Sequence, residues 1–242
     1  KLANPGFDGA VTPVFDDDSI VGLSFKTQNV SDISPLSELR HLQTLRMDGA
    51  YSRESGICDL TPLRGLPLTE LYVDGNSRLS DLEPLEGMQL RKLNAHGSAI
   101  ADLAPLAGMP LEGLGLWAWS GSDISPLRGM PLTYLNVGGN GNEMDLTHLI
   151  GAPLSYLCFN GSRVSNLSPL EGMPLKSLLC ENTGVSDLSA LRAMKLEEFI
   201  ARGSPIEDFS VLRGMPLTWV EFDIDLKRDL ELLRGIPTLQ RI

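Results

Sequence analysis

One residue pattern returns along the chain at a nearly constant interval, and a fixed interval of this length constrains the fold more tightly than composition does. Leu68, Leu90, Leu111, Leu132, Leu154, Leu175, Leu196 and Leu217 are separated by 22, 21, 21, 22, 21, 21 and 21 residues, and two further copies begin near Ile20 and Leu42. A single copy buries about five or six aliphatic groups at ~1.5 to 3 kcal/mol each. Against this stands backbone ordering at ~1 to 2 kcal/mol per residue. One copy cannot stand alone, so stacked neighbours must supply the missing burial.

Each copy approximates L-x-x-L-x-L-x-G-[NST]-x-[VIL]-x-D-L-x-P-L-x-G-M, as in Leu90, Leu93, Ala95, Gly97, Ser98, Ile100, Asp102, Leu103, Pro105, Leu106, Gly108 and Met109. Apolar residues two apart, such as Leu93 and Ala95, point to one side of a short strand. Glycine at the eighth slot (Gly49, Gly75, Gly97, Gly139, Gly161 and Gly203, with Asn182 once) suits an exit that needs positive φ. The small polar residues after it (Asn76, Ser98, Asn140, Ser162, Thr183, Ser204) can pair backbone groups that the turn would otherwise bury. The Asp-Leu-x-Pro-Leu return predicts a short 3₁₀ turn, with Asp as its cap and Pro fixing φ. The expected product is an α/β repeat solenoid: right-handed, with about ten parallel strands on its concave face and 3₁₀ or turn returns on its convex face.

The Asp-Ile-Ser-Pro-Leu returns at Asp32 to Leu36 and Asp123 to Leu127 resemble those of internalin-type leucine-rich repeats. The Gly-Met-Pro-Leu junctions at Gly108, Gly129, Gly172 and Gly214 are more narrowly similar to repeat domains of planctomycete-type bacteria, where such arrays are often joined to serine/threonine protein kinases. The segments Asn4 to Gly9 and Lys227 to Arg234 resemble the ends of those domains, so the likeness covers essentially the whole chain. It implies a fold strongly and a function weakly. Kinase signature residues are absent, so kinase activity is not carried over.

One elongated domain is expected over 1–242, with an N-terminal β cap at 1–19, about ten repeats over 20–222 and a helical cap at 223–242. Val11 to Phe15 can form the capping strand. Leu226, Leu230 and Leu233 have helical spacing, and Leu239 to Ile242 can add a last edge strand. The second copy carries extra residues near Tyr51 to Gly56, at an edge where insertions are tolerated and sometimes functional. A net charge of -11 opposes a phosphate backbone and speaks against nucleic acid as a partner. No apolar run within these residues is long enough to enter a membrane.

Cys58, Cys158 and Cys180 lack CxxC spacing, and the last two fall on opposite strand faces. Neither a disulfide framework nor a zinc site is expected, and a reducing, cytoplasmic setting is favoured. Asp16-Asp17-Asp18 lacks the spaced ligands of a calcium loop. No cofactor or metal is called for.

Stacking would turn equal slots into rows. The third slot reads Thr44, Glu70, Lys92, Gly113, Tyr134, Tyr156, Ser177, Glu198 and Trp219; the fifth reads Arg46, Tyr72, Asn94, Gly115, Asn136, Cys158, Leu179, Ile200 and Glu221. The seventh reads Asp48, Asp74, His96, Trp117, Gly138, Asn160, Glu181, Arg202 and Asp223. Rings and amides gather at the centre although aromatic residues are only 6% of the chain. The candidate partner-binding residues are therefore Tyr72, Asp74, Asn94, His96, Trp117, Trp119, Tyr134, Asn136, Tyr156 and Asn160. Gly113 and Gly115 are expected to leave a depression beside Trp117.

The template breaks around Ala118, Trp119 and Gly121, and rule-breaking marks functional sites. A competing account has Trp119 turning inward to fill the space left by Gly121. Non-catalytic recognition of a protein or peptide by a monomeric array is the preferred function. Carbohydrate or small-ligand binding by the same face is the alternative, and an enzyme built on Asp48, Asp74 and His96 the least favoured.

Overall fold

The computed structural model describes residues 4–51, 56–139, 141–223 and 225–241. The middle of the insertion (52–55), the small polar residue Asn140 and the terminal Ile242 of the expected last strand lie outside the described residues.

Among the described residues eleven strands form a single sheet whose spatial order follows the chain. The first two are β1 (Val11–Asp16) and β2 (Ser19–Lys26), and they pair antiparallel. All later pairs are parallel: β3 (Thr44–Asp48), β4 (Glu70–Tyr72), β5 (Lys92–Asn94), β6 (Gly113–Gly115), β7 (Tyr134–Asn136), β8 (Tyr156–Cys158), β9 (Ser177–Leu179), β10 (Glu198–Ile200) and β11 (Trp219–Glu221). The chain closes with helix α1 (Leu226–Arg234), after which Arg241 bridges Trp219 in parallel and extends the ladder by one step. This is the leucine-rich-repeat solenoid, with ten parallel strands, short 3₁₀ returns, a β cap and a helical cap.

Alternation along each strand explains the burial. The central residues Leu45, Leu71, Leu93, Leu114, Leu135, Leu157, Leu178, Phe199 and Val220 are all buried, and they join the leucines of the returns in one continuous core. Their neighbours stand on the open face of the sheet.

Before each 3₁₀ turn an Asp, or Asn166 once, accepts the N–H two residues on, as Asp123 does from Ser125 at 2.8 Å and Asn166 from Ser168 at 2.9 Å. These Asx turns pre-bend the chain into the return. The small polar slot is buried at Asn76, Ser162, Thr183 and Ser204. Asn76 donates to the carbonyls of Met47 at 2.7 Å and Val73 at 2.8 Å, which would otherwise be left unpaired in the core.

Two turns show how backbone conformation follows residue type. Gly172 adopts φ +76 after Glu171 at φ -53, ψ 129, a type II turn that needs a residue tolerant of positive φ. The equivalent position one repeat later is Ala193. There the preceding Arg192 switches to φ -52, ψ -34, and the turn avoids the left-handed region. At the eighth slot, the expectation for Gly49 is corrected: it is not left-handed, and its glycine is needed because a Cβ would lie 2.3 Å from the Gly75 carbonyl oxygen.

Candidate functional site

The open face carries the rows in register. Glu70, Lys92, Gly113, Tyr134, Tyr156 and Ser177 are successive partners across β4 to β9, as are Tyr72, Asn94, Gly115, Asn136, Cys158 and Leu179. Asp48 is the last residue of β3, and from Asp74 onward the seventh-slot row lies past the strand ends. N–H groups that follow it keep it aligned, Gly75 donating to His96 O at 2.8 Å, Gly97 to Trp117 O at 2.9 Å and Gly161 to Glu181 O at 2.7 Å.

In the first row Tyr134 and Tyr156 stack, with centroids 4.6 Å apart and planes 13° from parallel. That separation is the ~4.8 Å strand spacing, so the backbone ladder itself sets the stack. Burial is the largest cause of a raised Tyr156 pKa, which keeps its phenol neutral. Tyr72 donates its hydroxyl to Glu70 at 2.9 Å and lies 4.2 Å below the guanidinium of Arg46. Lys92 also reaches Glu70, at 3.0 Å, and this ammonium holds the Glu70 carboxyl below its ordinary range.

The seventh-slot row is a relay of side-chain acceptors. Asp74 accepts the N–H of His96 at 2.8 Å, and His96 Nδ1 accepts the N–H of Trp117 at 2.8 Å. Asn160 and Glu181 engage reciprocally, each at 2.8 Å, which holds Asn160 in a buried position. Asn136 Oδ1 accepts the Gly138 N–H at 3.3 Å. These groups brace the exits of neighbouring strands, so Asp74, His96 and Asn160 are available to a partner only in part. Burial pushes the His96 pKa down, and the nearby Asp74 charge opposes that shift. Among the described residues no group of three or more His, Cys, Asp or Glu is placed to hold a metal ion.

Trp117 is 43% exposed and its ring sits beside Gly138 and Gly139: a Cβ on Gly138 would lie 2.8 Å from it. Trp119 is corrected: it is 1% exposed, packed in the core and absent from the open face. Its ring fills the space beside Gly121, where a Cβ would meet ring carbons at 2.5 Å. The depression is also moved. Asn94 and His96 roof Gly115, whose Cβ would lie 2.7 Å from either side chain, so the open step lies over Gly113 and beside Tyr134 rather than Trp117. Cys158 stands in its open-face row yet is 1% exposed, and burial pushes its thiol up to about 11. Cys180 is in the core, and both are free.

Tyr51 was not singled out by the repeat pattern, although the insertion that starts there was the signal. It is 64% exposed with φ +56, and its ring lies across the Gly75 and Gly97 backbone, so that a Cβ on Gly97 would meet it at 2.8 Å. Lys92, Glu112 and Thr133 also surround Gly113; Glu112 and Thr133 precede the slots that strand alternation exposes, so the repeat pattern carries no signal for them.

No protein-family model matches the chain, and no curated protein does. Solved structures do. An internalin (inlF) of Listeria monocytogenes is similar with a TM-score of 0.78 and 28% identity, over 87% of this chain and 63% of that one. Internalin C2 of the same organism gives 0.60 and 28%, over 84% of this chain and 81% of that one. The functional domain of InlJ from Listeria monocytogenes, which includes a cysteine ladder, gives 0.52 and 21%, over 85% and 49%, and speaks to the fold alone. The chain thus spans less than two thirds of the length of the first and third of these structures.

Proposed function

We propose that this bacterial leucine-rich repeat array is a non-catalytic recognition module that binds a protein or peptide across the open, concave face of its sheet. The observation that carries the reading is the gathering of rings in the middle of this face: Tyr134 stacked on Tyr156 across adjacent strands, Tyr72 on β4 to one side and the exposed Trp117 past the end of β6. Rings offer broad contact area at small entropic cost and dominate binding energy at interfaces. Asn94 and Asn136 supply polar contacts beside them. The array acts as a monomer and as the recognition part of a larger protein; the Gly-Met-Pro-Leu junctions are the ground for placing that protein among kinase-linked arrays of planctomycete type.

Photo-crosslinking tests this. With p-benzoylphenylalanine at Ser177 on the open face, or at Ile150 on a return, cell extract is expected to give a discrete protein adduct from Ser177 only. An adduct from Ile150 alone would place recognition on the opposite side. Glycan-array binding that is lost in Trp117→Ala, with no protein adduct, would replace the protein partner by a sugar.

A further inference from the structure

In the row that contains the tyrosine stack, Gly22 is covered by Val14, whereas Gly113 leaves a step without a side chain between Lys92 and Tyr134. Nothing in the fold requires glycine there. Its backbone is not in the left-handed region, and a Cβ would meet only Lys92 Cγ, at an ordinary 3.6 Å. A glycine also weakens a strand, and one that packing does not demand marks a place where another group approaches closely. The step opens a cavity of about 260 Å³ among Tyr72, Lys92, Asn94, Glu112, Thr133 and Tyr134.

Building on the proposed recognition role, we propose that the Gly113 step seats one aromatic side chain of the protein partner, between the ring of Tyr134 and the methylene stem of Lys92. The shape is a slab. Tyr134 forms one wall, held by its own stack on Tyr156, and the Lys92 stem forms the other, held by the 3.0 Å bond of its ammonium to Glu70. A ring at the strand interval above Tyr134 continues the existing stack by one member.

The charged groups around the step are each already paired within the protein. Lys92 is engaged by Glu70, the Glu112 carboxylate by Arg91 at 3.0 Å, and the Thr133 hydroxyl by the Glu112 carbonyl at 3.1 Å. Asn94 contributes an amide to the rim that forms no side-chain hydrogen bond among the described residues. Its carbonyl oxygen matches the single donor of a phenol or indole.

The test is ¹H–¹⁵N chemical-shift mapping with N-acetyl-tryptophanamide, N-acetyl-tyrosinamide, N-acetyl-leucinamide and methyl glucoside. The two aromatic amides are expected to bind in the millimolar range and to move the amide signals of Gly113, Leu114 and Tyr134, with the leucine amide at least tenfold weaker. Gly113→Phe, which puts its own ring at the step, is expected to abolish these shifts while keeping the wild-type melting curve. Tyr134→Leu removes the stacking wall and is expected to weaken binding of the aromatic amides. Shifts confined to Trp117 and its neighbours would overturn the Gly113 inference and leave recognition by this face intact. Preference for methyl glucoside, or no shift with any probe, would overturn it as well; a protein adduct from the Ser177 crosslinker would still decide the broader reading separately.

Discussion

The imidazole Nδ1 of His96 accepts the backbone N–H of Trp117 at 2.8 Å, so the ring nitrogen of one repeat fixes where the exposed indole of the next begins. The acceptor must be unprotonated, which places the proton of neutral His96 on Nε2. Burial lowers the folded pKa below the ordinary histidine value, Asp74 opposing it in part. The unfolded chain therefore takes up the proton first. Stability is full above the unfolded value and falls as pH drops through the folded one. The urea midpoint of the wild type is expected to fall between ~pH 7.5 and ~pH 5 by more than that of His96→Gln; equal pH dependence in the two proteins would remove His96 from this role.

The tryptophans separate by solvent access. Trp119 is buried and its Nε1–H has no hydrogen-bond partner among the described residues, so replacing it by Phe loses area but no bond seen there. Trp119→Ala is expected to cost about 3 to 5 kcal/mol in denaturant melts. Trp119→Phe is expected to cost less than about 2 kcal/mol. Acrylamide quenching should be lost mainly in Trp117→Phe, while Trp119→Phe removes the blue-shifted emission.

Ala118 holds φ +64 where most repeats place glycine. The left-handed region costs a residue with a Cβ about 1 to 2 kcal/mol. Ala118→Gly is expected to stabilise the array by about 1 kcal/mol, after the added freedom of the unfolded chain is offset. The check is a melting temperature raised by a few degrees, with the Trp117 emission unchanged.

Asn76 joins three distant segments although it is fully buried. Its oxygen accepts from the Thr27 hydroxyl at 2.7 Å and the Ile57 N–H at 2.9 Å, while its amide donates to Met47 and Val73. Asn76→Ala is expected to lose roughly 2 to 4 kcal/mol by stranding these groups. Asn76→Asp is expected to be destabilising too, since a carboxylate cannot donate to two carbonyls. A melt for either variant that matches the wild type would refute the assignment.

The rows were legible in the sequence because a strand alternates its side chains and a parallel ladder keeps equal slots level; Tyr134 beside Tyr156 follows from counting alone. The 3₁₀ returns, the β cap and the closing helix were legible for similarly local reasons. What the letters could not show were contacts between repeats. That Asp74, His96 and Asn160 spend themselves on backbone N–H groups depends on how the exit of each strand faces its neighbour. Trp119 fitted two accounts until the space beside Gly121 could be measured. Tyr51 belongs to an insertion with no repeat to align it.

The match between ring separation and strand spacing has a bearing on how such a surface can change. Duplication or loss of one whole unit by unequal recombination would move every later row by a single rung, keeping the core leucines in place while altering which rings become neighbours. A gene built this way can sample new binding faces by copying segments it already has, without first acquiring any new residue.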